Sequence, residues 1–275
     1  MNVFFLGTGA AEGVPALFCN CAVCAFARAH GGRDKRFRTG ILVDNTVRVD
    51  LSPDALAQVH AYPDLPLCDL KHLLFTHSHD DHFAVRELQY LSPNFAPERD
   101  APLKIWGTDY CMQHIRVTMG RFFEPVPLKM GVVTPFETSA VAHLHVTPVL
   151  ARHKVDEPCL NYLFTEPATQ KTLLYASDTG WYAEETWAFL RGRRMDAAIV
   201  ECGLGIAESG YEGHLSLDEC ARFRQKLIAD DCLSPDAPFY LTHISHRGGL
   251  NHQAMNERAA PLGMTVAYDG LQITI

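Results

Sequence analysis

The stretch Thr76-His77-Ser78-His79-Asp80-Asp81-His82 follows directly on the apolar run Leu73-Leu74-Phe75, and no other stretch constrains the chain as strongly. An apolar strand that ends in a cluster of imidazoles calls for a sheet whose strand end opens into a polar pocket. His77 and His79 are two apart, so on an extended backbone they share a face. His77, His79, Asp81 and His82 place three imidazoles and one carboxylate within six residues. That is a nitrogen and oxygen donor set for a borderline divalent ion. The bland alternative is a solvated loop with histidines by chance. The buried strand that precedes it weighs against that reading.

Further short apolar runs rich in β-branched and aromatic residues predict strands at Val3 to Leu6, Gly40 to Val43, Leu73 to Phe75, Leu103 to Trp106, His145 to Leu150 and Asn161 to Phe164. The same pattern recurs at Thr172 to Tyr175, Ala197 to Val200, Phe239 to Thr242, Gly263 to Ala267 and Gln272 to Ile275. Helical spacing of apolar residues predicts helices over Phe83 to Leu91, Thr108 to Gly120, Glu184 to Gly192, Leu215 to Ile228 and His252 to Ala259. His82 would then stand at the start of the first of these. Ser216, with Glu219 three residues on, gives the fourth a capped start. Strands and helices mix without strict alternation, which predicts an α/β sandwich with helices outside two sheets.

At 275 residues and 47% hydrophobic, the chain can bury a large core without disulfides. A formal charge of −8 weighs against broad nucleic-acid binding, which rests on Lys and Arg contacts to phosphates. The start, Met1-Asn2-Val3-Phe4-Phe5, lacks the basic and long apolar regions of a secretory signal, and no run reaches the roughly 20 apolar residues of a membrane span. A cytoplasmic protein with no membrane partner is expected. Its nine cysteines then need a reason other than disulfides. Cys68, Cys111, Cys159, Cys202, Cys220 and Cys232 are scattered and read mostly as small core residues.

The histidine-rich segment resembles the metal motif of the metallo-β-lactamase superfamily, and the resemblance extends from Gly7-Thr8-Gly9 to Tyr268-Asp269-Gly270. It implies one domain over residues 1–275, folded as a four-layer αββα sandwich. It also implies later ligands. His153 would end a strand Val146 to Arg152, Asp178 would follow the strand Leu173 to Ala176, and His243 would end Leu241-Thr242. His143 and His145 compete with His153, which is preferred because an apolar strand gives way there to the polar Lys154 to Glu157 loop. Asp178, in Asp-Thr-Gly, also suits a simple turn. The implied division is His77, His79 and His153 on one ion, Asp81, His82 and His243 on the other, and Asp178 between them. Two ions about 3.5–4 Å apart lower the pKa of a shared water and stabilise charge on a phosphoryl or carbonyl oxygen. The sequence does not choose between zinc, manganese and iron.

Cys19, Cys21 and Cys24 have C-x-C-x₂-C spacing. In a reducing compartment this reads as thiolate metal ligation. A closed tetrahedral zinc site needs a fourth ligand, and His246, three residues beyond His243, is the candidate. The expected zinc-binding loop covers about residues 17–30. Together with Gly7 to Pro15 and the segment Leu241 to His246, this set resembles the phosphodiesterase branch that opens a ribosyl cyclic phosphate in phosphonate breakdown. The pyrroloquinoline-quinone biosynthesis B family shares a similar early stretch and would not be a phosphodiesterase. The ribonuclease Z family shares the metal motif and the His214 region.

The phosphodiesterase resemblance implies hydrolysis of a small, possibly cyclic, phosphodiester by metal-hydroxide attack. Two divalent ions (zinc or manganese) would serve the active site, and one structural zinc the loop. Asp81 and His214 would be the catalytic residues, with His214 protonating the leaving oxygen and Glu201 orienting it. A histidine suits that task because its ordinary pKa is near neutral. Arg152, Lys154 and Arg247 flank ligand positions as candidate phosphate contacts. Tyr268-Asp269-Gly270 would support the ligand histidines. A homodimer is expected by resemblance alone.

Overall fold

The computed structural model describes residues 1–99, 101–207 and 209–275. Two seven-stranded sheets make up the frame. The first contains β1 (Asn2–Gly7), β2 (Gly40–Val43), β3 (Val47–Val49), β4 (His72–Leu74), β5 (Leu103–Gly107), β6 (Leu128–Val132) and β14 (Gln272–Thr274), in the order β14-β1-β2-β3-β4-β5-β6. The second contains β7 (Ser139–Val141), β8 (Leu144–Leu150), β9 (Leu160–Glu166), β10 (Lys171–Ala176), β11 (Ala197–Glu201), β12 (Phe239–Thr242) and β13 (Thr265–Val266), in the order β13-β12-β11-β10-β9-β8-β7. β3 to β6 pair parallel, as do β10 to β13. The neighbouring strands toward β1 and β9 pair antiparallel.

The sheets face each other across one apolar layer. Val3, Phe5, Ile41 and Val49 from the first meet Val146, Tyr162, Phe164 and Tyr175 from the second, all with essentially no exposure. Strands buried on both faces read as continuous apolar runs, which is why β2 and β11 were visible as Gly-Ile-Leu-Val and Ala-Ala-Ile-Val. Helices cover the outer faces. On the first sheet, α2 (Ala55–Ala61) and α3 (Asp109–Met119) lie beside a tight 3₁₀ segment, Val85–Leu91. Leu73, Ile105, Met112 and Ile115 fill the space beneath them. On the second, α4 (Glu184–Leu190), α5 (Leu217–Ala229) and α6 (His252–Ala259) pack over Trp187, Phe223 and Met255. α1 (Ala22–His30) lies in the cysteine-containing segment. The result is the expected layering of helix, sheet, sheet and helix.

α5 shows how sequence sets this packing. Ser216 caps it by accepting from the Glu219 amide, while the Glu219 carboxylate accepts from the Ser216 amide. Leu217, Cys220, Phe223 and Leu227 then recur at helical spacing on the buried face. The Phe223 ring centroid lies 4.8 Å from Trp187 and 5.0 Å from Tyr182. Truncating a buried aromatic of this kind to Ala costs about 3–5 kcal/mol.

Several boundaries differ from the expectations. Phe83 to Leu91 is not an α-helix; only the 3₁₀ segment from Val85 forms, and His82 sits in the turn before it. The His82 amide donates to the His79 carbonyl and the Leu51 amide donates to the His82 carbonyl, so the backbone here is committed to the ligand loop. The predicted last strand before Ala267 contracts to β13, because the carbonyls of Ala259 and Ala260 bind the amides of Met264 and Gly263 in a tight turn. β3, β6, β7, α1 and α2 had no sequence signal. β3 and β7 are only three residues each, and β6 is half-exposed. Five of the scattered cysteines are buried as expected, whereas Cys68 is exposed. No helix among the described residues is long and apolar enough to cross a membrane.

Candidate active site

The parallel strands of both sheets point their C-terminal ends to one edge of the sandwich, the place where open α/β sheets hold ligands. β3 delivers Asp50, β4 delivers Thr76 and His77, β10 delivers Asp178, β11 ends in Glu201 and β12 delivers His243. Asp50, Asp178 and His243 adopt left-handed backbone, with φ of 62°, 50° and 55°. Such conformations cost a non-glycine residue about 1 kcal/mol or more and cluster at functional sites. Here each turns its side chain from a strand end into a shared pocket. Gly180 lets the Asp178 turn approach the far wall: a Cβ there would stand 1.7 Å from the Glu212 carbonyl oxygen.

Seven of the sequence-predicted donors converge. His77 Nε2 lies 3.0 Å from His79 Nδ1, and His153 Nε2 lies 2.9 Å from the same atom. His82 Nε2 is 3.0 Å from Asp81 Oδ2 and 2.8 Å from Asp178 Oδ2. His243 Nε2 is 3.0 Å from Asp178 Oδ1, and Asp178 Oδ1 is 3.8 Å from His153 Nε2. Asp178 therefore sits between the two imidazole groups. His77, His79 and His153 form one metal-competent triad, and Asp81, His82 and His243 another. His82 Nε2 and both ring nitrogens of His243 are buried with no hydrogen bond despite these close neighbours. His82 Nε2 and His243 Nε2 both face Asp178, and buried unpaired ring nitrogens cost free energy unless something joins them. A pair of divalent ions fits that donor set. His143 and His145, the alternatives to His153, are both exposed, and His143 bonds to Asp44. His153 itself lies beyond its strand, because β8 ends at Leu150.

A second layer fixes the rings. His82 Nδ1 donates to Asp50 Oδ2 at 2.7 Å, His77 Nδ1 to Thr76 Oγ1 at 3.0 Å, and His153 Nδ1 to the Gly213 carbonyl at 2.9 Å. Each bond leaves Nε2 free to face the pocket, the usual arrangement behind a metal-ligating histidine. Thr76 in turn donates to Asp50, so one buried carboxylate braces two rings. Glu157 accepts from both the amide and the hydroxyl of Ser78, the residue between His77 and His79. Burial keeps His77 in the neutral form, with its pKa well below normal. Asp178 is also fully buried, yet the surrounding imidazoles hold its carboxylate well below the usual range. Asp50 and Glu157 had no motif to reveal them. The only sequence cue was an acid directly after an apolar strand or an apolar-to-polar switch.

His214 stands beside this cluster. Its ring stacks on His243 at 5.2 Å and 23°, and it lies 4.8 Å from the His153 ring. Its Nδ1 donates to Glu201 Oε1 at 2.9 Å. Glu201 also accepts from the amides of Gly203 and Leu215, which locks its orientation. Burial opposes the protonated ring, but Glu201 and then Asp178 outweigh it and raise the His214 pKa to about 9. The ring keeps about a fifth of its side chain exposed, so it reaches solvent.

The cysteine cluster closes as spaced. Cys19, Cys21, Cys24 and His246 present their donor atoms within 4.8 Å of one another. His246 Nδ1 lies 3.5 Å from Cys19 Sγ and 3.4 Å from Cys21 Sγ. The Cys24 amide and the His246 side chain favour the Cys21 thiolate and lower its pKa to about 6, although burial works against them. Three sulfurs and a nitrogen at this spacing suit a tetrahedral zinc. On the far side of the ring, His246 Nε2 is 3.3 Å from Glu12 Oε1, which also accepts from Ser245. Glu12, like Asp50, was not singled out in the sequence.

The candidate phosphate contacts are otherwise engaged. Arg152 pairs with Glu212, and Lys154 lies 3.2 Å from Glu157 and 3.4 Å from Asp156. Arg247 is exposed. Beside His153, an open cleft of about 580 Å³ runs past Lys154, Tyr211 and Gly213. Tyr268-Asp269-Gly270 does not touch the ligand histidines. Asp269 accepts from Thr8 Oγ1 and the Phe37 amide, and the Thr8 carbonyl accepts from Ile244, next to His243. Its support is one residue removed.

Known proteins resemble this chain over its whole length. The profile of the β-lactamase superfamily domain matches residues 45–244. An octanoyltransferase of Porphyromonas gingivalis is 28% identical over all of this chain, which spans about half (52%) of that protein. The coenzyme PQQ synthesis protein B of Methylorubrum populi is 26% identical over the full length of both. Among solved structures, a diphosphatase from the PhnP family superposes with a TM-score of 0.77 at 22% identity, covering 100% of this chain and 97% of that one. Zinc-bound PqqB from Methylobacterium extorquens gives 0.79 at 22% identity, with both chains fully covered.

Proposed function

The chain belongs to the β-lactamase superfamily; on that premise we propose that it is a binuclear metal-dependent phosphodiesterase acting on a small diester. The observation that carries the reading is the position of Asp178 between two imidazole groups, with the His214–Glu201 pair at its side. His77, His79 and His153 would hold one ion, Asp81, His82 and His243 the other, and Asp178 both. Bound there, two divalent ions supply a water of lowered pKa and stabilise charge on a phosphoryl oxygen.

The chain's own residues do the rest. Burial keeps His77 and His153 neutral, while Asp50, Thr76 and the Gly213 carbonyl hold His82, His77 and His153 aimed, so little reorganises during reaction. Asp81 orders its side of the pocket. His214, held protonated by Glu201, gives its Nε2 proton to the departing oxygen. The engaged state of Arg152 and Lys154 favours a diester, which carries a single charge, over a monoester with two. A cleft of about 580 Å³ is of a size for a small molecule.

The zinc loop is read as structural, with Cys19, Cys21, Cys24 and His246 as ligands. A second reading is supported by the full-length match to a PQQ synthesis protein B and by the full-length superposition on zinc-bound PqqB. The test is hydrolysis of bis-p-nitrophenyl phosphate with added manganese or zinc, against p-nitrophenyl phosphate, a cyclic ribosyl phosphate and a thioester. Turnover of the diesters that a chelator abolishes supports the proposal. A fully metal-loaded protein inert on every diester favours the PQQ-related reading.

A further inference from the structure

Away from the metal pocket, on the outer face of the first sheet, lies an open cavity of about 1040 Å³ between α2, the 3₁₀ segment Val85–Leu91 and the strand end at Leu103. Its depth is apolar, walled by Leu51, Val59, Leu73, Leu88 and Leu103. One charged group stands among these side chains. Arg48 lines the cavity and is only 3% exposed. Its Nε donates to the Asp50 carbonyl at 2.7 Å and its Nη2 to Gln58 Oε1 at 2.7 Å. Both acceptors are neutral, and no carboxylate among the described residues forms an ion pair with it. Burial lowers its pKa only to about 10, so it stays charged at neutral pH. The adjacent Gln58 Nε2 is fully buried and has no acceptor.

A buried cation that has the field of the Asp50 carboxylate but no ion-pair partner is costly, and so is a buried amide donor without an acceptor. Of the two, only Arg48 lines the cavity, with Gln58 bracing its guanidinium, and an acceptor carrying one negative charge would answer that cation. The remaining charges at the cavity argue for one charge rather than two. Asp69, Glu87 and Glu98 border it and are exposed, against Lys71, also exposed, and Arg99, whose guanidinium donates to the Cys68 and Leu70 carbonyls; among the described residues the rim carries one more negative charge than positive, so a dianion would meet repulsion there. The leucine walls call for an apolar remainder. Leu56 and Tyr90, exposed at the rim, extend the apolar path outward.

We propose that this cavity is a binding site for an amphiphilic monocarboxylate, an alkyl-chain acid whose head meets Arg48 and whose tail lies along Leu51, Val59, Leu73 and Leu88. The site does not rest on the phosphodiesterase reading, and it adjoins the metal pocket at two points: Asp50, whose carbonyl accepts from Arg48 and whose carboxylate braces His82, and the bond from the Leu51 amide to the His82 carbonyl.

The test is calorimetric titration of the full chain with dodecanoate below its micellar concentration, with dodecanol as the uncharged control. The proposal expects saturable binding at one site, with dodecanol at least tenfold weaker. Arg48→Met should weaken dodecanoate at least tenfold and leave dodecanol unchanged. Should Arg48→Met not fold, Val59→Trp fills the cavity from a half-buried position with Arg48 intact, and is expected to abolish binding of both. Equal affinity for dodecanol, or an unchanged affinity in Val59→Trp, overturns the proposal. So does absence of binding together with a dimer that Val59→Trp converts to monomer, which would make this face a contact between copies of the chain.

Discussion

The two candidate metal clusters lie a few residues apart on the segment His243 to His246, yet they are built in opposite ways. The histidine pocket is assembled from strand ends of two sheets; its rings are held by Asp50, Thr76 and the Gly213 carbonyl, and Glu157 holds Ser78 between two of them. The cysteine cluster spans a short loop and the first turn of α1, which holds Cys24, so the expected loop over about residues 17–30 is helical from Ala22; Leu17 and Phe18 beside it are 82% and 95% exposed. Cys21 itself is exposed, and only Cys24 is buried. The first site is preorganised by the fold; the second would organise the loop through its metal. Ligand loss should therefore show as lost activity in one and lost stability in the other.

The largest expected effect is at Asp178. Asp178→Asn should lower diester turnover by about a thousandfold or more, since the interaction with both ions is worth several kcal/mol. Metal analysis should show active-site ions lost, while the melting temperature changes little. A collapse of the fold would break the comparison. Next is His214→Ala, for which general acid loss predicts roughly a hundred- to ten-thousandfold drop in turnover with metal content intact. Full activity would move the proton donor elsewhere. Glu201→Gln should give a smaller loss of roughly 10- to 100-fold.

Cys21→Ser addresses the other side. It should remove one zinc per chain and cost about 3 kcal/mol or more, a fall in Tm of roughly 6–12 °C for a chain of this size. Loss of the active-site ions as well would show that the two clusters are not separable. Glu12→Gln sharpens the point, because Glu12 orients His246 from behind. Weakening zinc retention about tenfold, measured by release to a chromogenic chelator, is the expected result.

The smallest effect lies in the network behind the N-terminal loop. Burial first, then Arg36, lowers the His252 pKa to about 4. The unfolded chain therefore binds the proton more readily between pH 6.5 and 4, and stability falls as pH drops through that window. His252→Asn should flatten the melting temperature against pH there. An unchanged slope assigns the dependence to other groups.

His77, His79, Asp81 and His82 were legible from their density after the apolar run Leu73 to Phe75, whereas His153, Asp178 and His243 were legible only through the family resemblance and their order along the chain. The sandwich was legible because strands buried on both faces leave uninterrupted apolar stretches. What supports the site was not. Asp50, Glu12 and Glu157 act through partners 26 or more residues away, and nothing local distinguishes them from surface acids. The 3₁₀ form of Val85–Leu91 was hidden too, because its apolar spacing is also that of an α-helix.

The central claim is that two ions in the histidine pocket serve diester hydrolysis. It is tested most directly by stripping the protein with a chelator and following bis-p-nitrophenyl phosphate turnover while manganese or zinc is returned. The account predicts no turnover in the stripped protein, recovery complete at two equivalents beyond the loop zinc, and no recovery in Asp178→Asn. Turnover that persists without metal, or a refilled wild-type protein that leaves the diester intact, would contradict it.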